Sequence, residues 1–304
     1  MKEVCVIGGS RYFGRHLVAG LRDRGVDVTL VNRGSQAPPP GVTHVVADRD
    51  DERGLARALG TRTFDVVVDQ VCNTPLQAAV AARVFAGRTG RYVMTSTIEV
   101  YDHSPAGGVP AAAPGTPMAE TAVDPELWPV DPGLPWHDRA FLENQYGEGK
   151  RQAEAVFTRE AAFPFVTVRS GHVMGGGPAD FTGRLRHYVE RIRAGRPIVV
   201  HRDNHPSSFV HHREIAEFLR WTAGADFTGA VNARSHGEFD VFELCDRIAS
   251  HTAARPVYDR SGGAEVSPYS FGHYYGMDNS RAGRLGFAFS HTRDWLPDAV
   301  AQAL

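Results

Sequence analysis

The sequence predicts an α/β fold: a doubly wound parallel sheet with helices on both faces, followed by a second, smaller domain. Three observations carry that expectation. Short apolar runs alternate with segments of helical period through the first half of the chain. The first run leads directly into a glycine-rich turn that opens a helix. Polar residues and glycine cluster where the runs end, which is where ligands sit in open sheets of this kind.

The elements follow in order. Val4, Cys5, Val6 and Ile7 form a run of the buried-strand type, and Gly8-Gly9-Ser10-Arg11-Tyr12-Phe13-Gly14 is the turn. Residues 16–24 carry Leu17, Val18 and Leu21 at helical spacing, and Gly25 ends that helix. Residues 26–31 are a second strand closing on Asn32 and Arg33, and residues 43–47 a third, with Asp48 and Arg49 after it. A helix over 53–59 leads to a fourth strand over 64–68, which runs into Gln70, Val71 and Cys72. An alanine-rich helix over 74–85 precedes a fifth strand over 91–96, which contains Thr95 and Ser96 and is followed by Thr97 and Glu99. Residues 102–144 break the alternation. This stretch is rich in Pro, Ala and Gly, holds Trp128 and Trp136, and reads as a lid-like insertion or a surface for a partner subunit. A helix resumes at Tyr146, and a sixth strand over 165–168 is followed by Ser170, His172 and Val173. The domain change is expected there, giving residues 1–170 and 171–304. The second half is less regular, with helices expected over 181–194, 213–221, 241–251 and 293–304 and short strands over 198–200 and 209–211.

Composition excludes several classes. The net charge of −2 over 304 residues offers no surface for nucleic acid or membrane. No apolar run approaches the ~20 residues of a membrane span. The chain enters its first strand with no signal segment, and three widely spaced cysteines suit a reducing cytoplasm. The fourteen histidines include His201, His205, His211 and His212 but form no helical His-Glu-x-x-His pattern, and no Cys-x-x-Cys occurs, so no metal is expected. His172 and His211 are candidates to line a substrate cleft.

A glycine turn between strand and helix brings backbone N–H groups and a helix N-terminus against a diphosphate. Tyr146 and Lys150 lie one helical turn apart on one face, and Thr97 stands at the end of the fifth strand. An isolated phenol, with a pKa of about 10, is a poor base at neutral pH; a neighbouring ammonium and an oxidised nicotinamide both favour the phenolate. A phenol, a hydroxyl and an ammonium converging beside a nicotinamide can exchange a proton with a substrate hydroxyl while hydride moves.

With these motifs the chain resembles the extended short-chain dehydrogenase/reductase family, also called the NAD-dependent epimerase/dehydratase family. The likeness runs in good order from Val4 to about Gly175. It continues more weakly through Phe209-Val210-His211, then Glu214-Ile215-Ala216, and through Met277-Asp278-Asn279-Ser280, then Arg284-Leu285-Gly286-Phe287. The resemblance implies a Rossmann fold, a C-terminal substrate-binding domain, a small-molecule substrate and a homodimer formed through the helices near 78–85 and 146. It implies that Gly8, Gly9 and Gly14 hold the diphosphate, that Asp48 meets the adenine, that Val71 and Cys72 offer backbone to the cofactor, and that Thr97, Tyr146 and Lys150 form the catalytic triad. Ser10, Arg11, Tyr12, Phe13, Asn32, Arg33, Arg49, Gln70, Thr95, Ser96, Ser170, His172 and Val173 complete the expected cofactor site.

The sequence departs from the family in several places. Arg11 replaces the middle glycine, and Asn32 with Arg33 replaces the acid that ends the second strand. An acid there accepts from the 2′-hydroxyl of NAD, whereas arginine accommodates the 2′-phosphate of NADP, so NADP is expected, with NAD as the alternative. Ser207 and Ser208 stand where nucleotide-sugar enzymes of the family carry an arginine that grips the sugar diphosphate. Glu99 matches the glutamate of a Ser-Thr-Asp-Glu-Val-Tyr segment found in sugar-nucleotide dehydratases, while Ile98 replaces its acid. The expected activity is hydride transfer at a hydroxyl/ketone carbon of a polar small molecule, with sugars and cyclitols as candidates. The rivals are an epimerase or dehydratase with transient oxidation and Glu99 as base, and a non-catalytic NADP-sensing or RNA-binding protein. The turn with Asn-Arg-Gly also resembles chloroplast stem-loop-binding proteins.

Overall fold

A computed structural model describes residues 1–102, 108–110, 113, 115–261 and 265–304; part of the 102–144 insertion therefore lies outside the described residues. The β-branched run after Lys2 forms β1 (Glu3–Ile7), the glycine turn follows, and α1 (Tyr12–Arg22) returns over the sheet to β2 (Asp27–Asn32) and β3 (Thr43–Val46). The Asp51 carboxylate accepts from Gly54 N and caps α2 (Glu52–Leu59), which leads to β4 (Val66–Asp69). Thr74 caps α3 (Pro75–Phe85), whose proline stands in the first turn, where its missing N–H is harmless. β5 (Tyr92–Thr97) ends where the Thr97 hydroxyl accepts from Glu99 N and starts a short 3₁₀ turn, Ile98–Tyr101. Then come α4 (Arg139–Asn144), α5 (Tyr146–Glu160) and β6 (Phe165–Ser170).

The remaining elements are β7 (His172–Met174), α6 (Arg184–Arg193), β8 (Ile198–Val199), β9 (Phe209–His211), α7 (His212–Gly224), β10 (Gly229–Ala233), α8 (Val241–Thr252), β11 (Tyr258–Asp259), α9 (Ser280–Arg284) and α10 (Thr292–Ala303). The main sheet has seven strands in the order β10-β6-β5-β4-β1-β2-β3, and every neighbouring pair is parallel. This is the expected Rossmann arrangement, with a seventh strand supplied by residues 229–233.

Both faces of the sheet are buried, so its strands read as continuous apolar runs. Side chains still alternate between faces: Val4 and Val6 pack with Leu17, Val18, Phe218 and Leu219 under α1 and α7, while Cys5 and Ile7 pack with Ala78, Phe85, Ala153 and Phe157 under α3 and α5. Each large side chain so buried contributes roughly 1.5–3 kcal/mol. A third core joins α6, α8 and α10 through Tyr188, Ile192, Leu244, Ile248 and Trp295. The described part of the insertion is packed down: Val109, Met118 and Val123 are buried against Ile98, Val100, Tyr101, Tyr275 and Met277.

One helix begins later than the sequence suggests. The sequence pattern places its start at residue 181, but the Asp180 carboxylate accepts from Thr182 N and from the Thr182 hydroxyl, and Gly183 takes φ +65°, so α6 starts at Arg184. Among the described residues no helix is long and apolar enough to cross a membrane.

Candidate active site

The carboxyl ends of β1, β2, β4, β5 and β6 open onto two cavities. The larger is about 1030 Å³ and the smaller about 500 Å³. Gly8 and Gly9 take φ of +87° and +79°, open only to residues without a Cβ penalty. A side chain on Gly9 would also meet Val6 Cγ1 at 2.8 Å, and one on Gly14 would collide with Gln70 and the Gly9 backbone. The turn is thus pressed against β1, β4 and itself. The smaller cavity is lined by Gly8, Ser10, Arg11, Tyr12, Phe13, Asn32, Arg33, Asp48, Arg49, Gln70 and Val71. Gly9, Gly14 and Cys72 line neither cavity. The first two shape the turn, and Cys72 is buried with its thiol pushed up to about 11, chiefly by burial.

Asn32 is fully engaged. Its amide donates to Ser10 Oγ at 2.6 Å, while its Oδ1 accepts from Gly34 N at 2.7 Å and lies 3.0 Å from His44 Nε2. It ties the glycine turn to the end of β2 and leaves Arg33 and Arg11 beside the cavity without an acid at this strand end. Arg49 lines the cavity, yet its guanidinium is committed elsewhere. Nη1 donates to both oxygens of the fully buried Asp69 at 2.8 and 2.6 Å, and Nη2 to Gln77 O at 3.1 Å. Asp69 also accepts from Tyr92 Oη and Val71 N, and so fixes the backbone that follows β4. Sequence reasoning missed Asp69, whose only signal is an acid at the end of an apolar strand.

The larger cavity brings together Thr95, Ser96, Thr97, Glu99, Tyr146, Lys150, Ser170, His172 and Val173. Tyr146 opens α5 as expected and is 39 % exposed, whereas Lys150 is buried. Lys150 Nζ donates to Thr95 O at 2.8 Å and lies 5.6 Å from the Tyr146 ring centroid. Two helical glycines permit this. A Cβ on Gly147 would strike Glu99 O, and one on Gly149 would strike Asn73 O and crowd Trp136, so the helix presses onto the strand ends. The Glu148 carboxylate accepts from Trp128 Nε1 at 3.1 Å, from Arg151 Nε at 2.9 Å and from Gln152 Nε2 at 2.8 Å, which fastens the insertion to α5.

Ser96 Oγ donates to Glu154 Oε1 at 2.6 Å and belongs to a buried network with Arg169. Glu99 Oε2 accepts from Tyr275 Oη at 2.8 Å, and burial raises its carboxyl above the ordinary value. His172 stacks on Phe271 at 4.8 Å and lies within 6 Å of Phe209, Tyr269 and Tyr275. Burial pushes it down to about 3, so it is neutral at pH 7. His211 is not in the lining; it stacks on Trp295. Ser207 and Ser208 are fully buried, their hydroxyls donating to Tyr275 O and Glu238 Oε1.

Tyr12 Oη, Gln70 Nε2, Thr95 Oγ1 and His172 Nε2 are buried polar atoms without a protein partner, all on residues that line these cavities. Unpaired buried groups are costly, and a polar ligand in the cavities could pair with these only after a side-chain shift that exposes them. With the glycine turn, the residues fit a dinucleotide. Among the described residues no group of three His, Cys, Asp or Glu could hold a metal ion.

Comparison with known proteins agrees with this fold. The NAD dependent epimerase/dehydratase family matches residues 4–86, so the resemblance read from the sequence holds over the glycine turn and the first four strands. No curated protein matches the chain. Among solved structures, the enzyme WbmH of Bordetella bronchiseptica in complex with NAD+ is 19% identical, covering 99% of this chain and 98% of its own, with a TM-score of 0.71. UDP-glucose 4-epimerase of Thermus thermophilus, complexed with NAD, is 18% identical with the same coverage and a TM-score of 0.71. UDP-glucose 4-epimerase of Thermotoga maritima, with UDP-glucose, is 17% identical, again covering 99% and 98%, with a TM-score of 0.73. At these identities the likeness is one of fold.

Proposed function

With residues 4–86 matched to the NAD dependent epimerase/dehydratase family, we propose that the protein is an NADP(H)-dependent enzyme acting at a hydroxyl/ketone carbon of a polar small molecule. The observation that carries the reading is the single cavity lined by Thr97, Tyr146 and the buried Lys150. Gly8, Ser10, Gln70 and Val71 would hold the dinucleotide, and its nicotinamide would supply or take the hydride. Tyr146 Oη passes the proton to or from the substrate oxygen. Thr97 Oγ1 orients that oxygen. Lys150 Nζ, fixed by Thr95 O, places a positive charge beside the phenol. Arg33 beside Asn32 favours the 2′-phosphate.

As a division of labour, residues 1–170 would hold the cofactor and 171–304 the substrate, with α7 and β10 of the second part packed onto the sheet of the first. A polar substrate without a nucleotide suits the substrate end, because Ser207 and Ser208 hold internal partners where a diphosphate-gripping arginine would stand. The three cysteines are buried free thiols, in keeping with a reducing cytoplasm. A second copy would pair through α3 and the ends of α5, whose residues 149–157 are already buried within one chain. The test is titration with NADPH and NADH, followed by NADPH consumption against a panel of keto-sugars and keto-cyclitols. Failure to bind either cofactor refutes the reading.

One observation favours a second reaction type. Glu99 is a partly buried carboxyl with a raised pKa that shares the cavity with Tyr146. Once the first carbon is a ketone, the neighbouring C–H is acidic, and a carboxylate there can remove its proton. Such an epimerase or dehydratase would use no net cofactor. Turnover in heavy water decides between the two. Deuterium at the neighbouring carbon that disappears in Glu99→Gln supports the second reaction, and stoichiometric NADPH use without deuterium supports the first.

A further inference from the structure

The smaller cavity is built from the first 77 residues of the chain with one exception, Phe181, which reaches it from the segment before α6. Phe181 also lines the larger cavity, so its ring stands at the junction of the two. It is 65 % exposed, an uncommon state for a large apolar ring. The ring is nevertheless held. The Arg11 guanidinium carbon lies 5.9 Å from its centroid, and the Tyr12 ring meets it edge-on at 6.2 Å and 83°. Its backbone is fixed by the Asp180 carboxylate, which accepts from Thr182 N at 2.9 Å and from Thr182 Oγ1 at 2.6 Å. Arg11 takes the place where the family carries glycine, which has no side chain to offer such a ring.

A ligand that occupies both cavities must pass this junction, with the glycine turn on one side. We propose that Phe181 is a cofactor-binding residue, clasped with Arg11 over the middle of the bound dinucleotide so that release requires the pair to part. This rests on the reading that a dinucleotide spans both cavities. Exposed apolar surface on Phe181 is then covered by the ligand, and the cation–π contact closes the clasp from outside. Thr182 and Arg184, on the same short segment, line the substrate end, so the clasp ties the two ends of the site together.

The test is stopped-flow displacement of NADPH, followed by its fluorescence, from the unmutated protein, Phe181→Ala, Phe181→Tyr, Arg11→Ala and the double variant Arg11→Ala/Phe181→Ala. Release from Phe181→Ala should be roughly five- to tenfold faster, with association changed far less, because removing a covering contact acts on dissociation. Phe181→Tyr should retain the slow rate. The double variant should release little faster than the faster single variant, since each single change opens the same clasp. Melting temperature controls for folding, which an exposed side chain should not disturb. A release rate in Phe181→Ala within about twofold of the unmutated protein overturns the clasp while leaving the cofactor reading intact. Absence of NADPH and NADH binding in the unmutated protein overturns both.

Discussion

Arg169→Met should cost the protein about 3–5 kcal/mol, the usual penalty for removing one partner of a buried ion pair. Arg169 and Glu154 are both fully buried. The guanidinium makes three contacts to the Glu154 carboxylate, at 3.3, 3.1 and 2.6 Å. It also donates to Tyr101 Oη at 3.0 Å, Glu120 O at 2.8 Å and Val123 O at 3.1 Å. Methionine fills much of the volume and supplies none of these donors. Glu154 would keep only the Ser96 hydroxyl, at 2.6 Å, against a full charge in an apolar interior. Two carbonyls of the insertion would lose their donor as well. Removing both charges in Arg169→Met/Glu154→Leu should recover most of the loss, because the uncompensated carboxylate is its main source. Equilibrium urea unfolding followed by circular dichroism measures both variants. A loss below about 1 kcal/mol in the single variant, or a double variant no more stable than the single, would refute the argument.

Three other outcomes are expected. Tyr146→Phe keeps the exposed ring and removes the hydroxyl, so NADPH should still bind while turnover on the true substrate falls by roughly 10²–10⁴, and near-normal turnover would move the chemistry off α5. Arg33→Ala should weaken NADPH binding about ten- to a hundredfold and leave NADH unchanged, as read by isothermal titration; equal losses for both cofactors would argue against a 2′-phosphate contact. His172 and His212 are held near 3 by burial, from an ordinary 6.5. The unfolded chain therefore takes up protons first, and stability that is full above about 6.5 should fall as the pH drops towards 3. Urea midpoints between about pH 7 and 4.5 should show that fall, and His212→Phe should flatten it; a slope unchanged by that substitution would exclude His212 as a source.

The first six strands were legible because each is an apolar run between turn residues, and a sheet buried on both faces needs little else. The residues expected around the cavities were legible where a strand end dictates their place, as with Thr97, or where one helical turn does, as with Tyr146 and Lys150 on α5. β10 was not legible. Gly229, Ala230, Val231, Asn232 and Ala233 are short and carry a polar residue mid-strand, and Asn232 is accommodated by bonds between its side chain and Met118 O, Asp278 O and Tyr101 Oη. Arg49 reads as a cation beside a cofactor, but Asp69, twenty residues later, takes its charge. The partner of Glu99 is Tyr275, 176 residues away, a separation no local pattern encodes. The insertion looks loose in sequence because the groups that hold it, Arg169 and Glu148, lie beyond its far edge.

The late position of β10 bears on how the chain is made. A ribosome delivers residues 1 to 170 before anything that completes their sheet, so the outer edge of β6 emerges with its backbone donors and acceptors open. The α1 face is bare too, until α7 arrives over Leu17, Val18 and Leu21. The nascent cofactor half is therefore an adhesive intermediate that matures only when residue 233 has left the exit tunnel. A stalled or truncated product ending near residue 170 should be bound by chaperones or aggregate rather than circulate as an independent nucleotide-binding module.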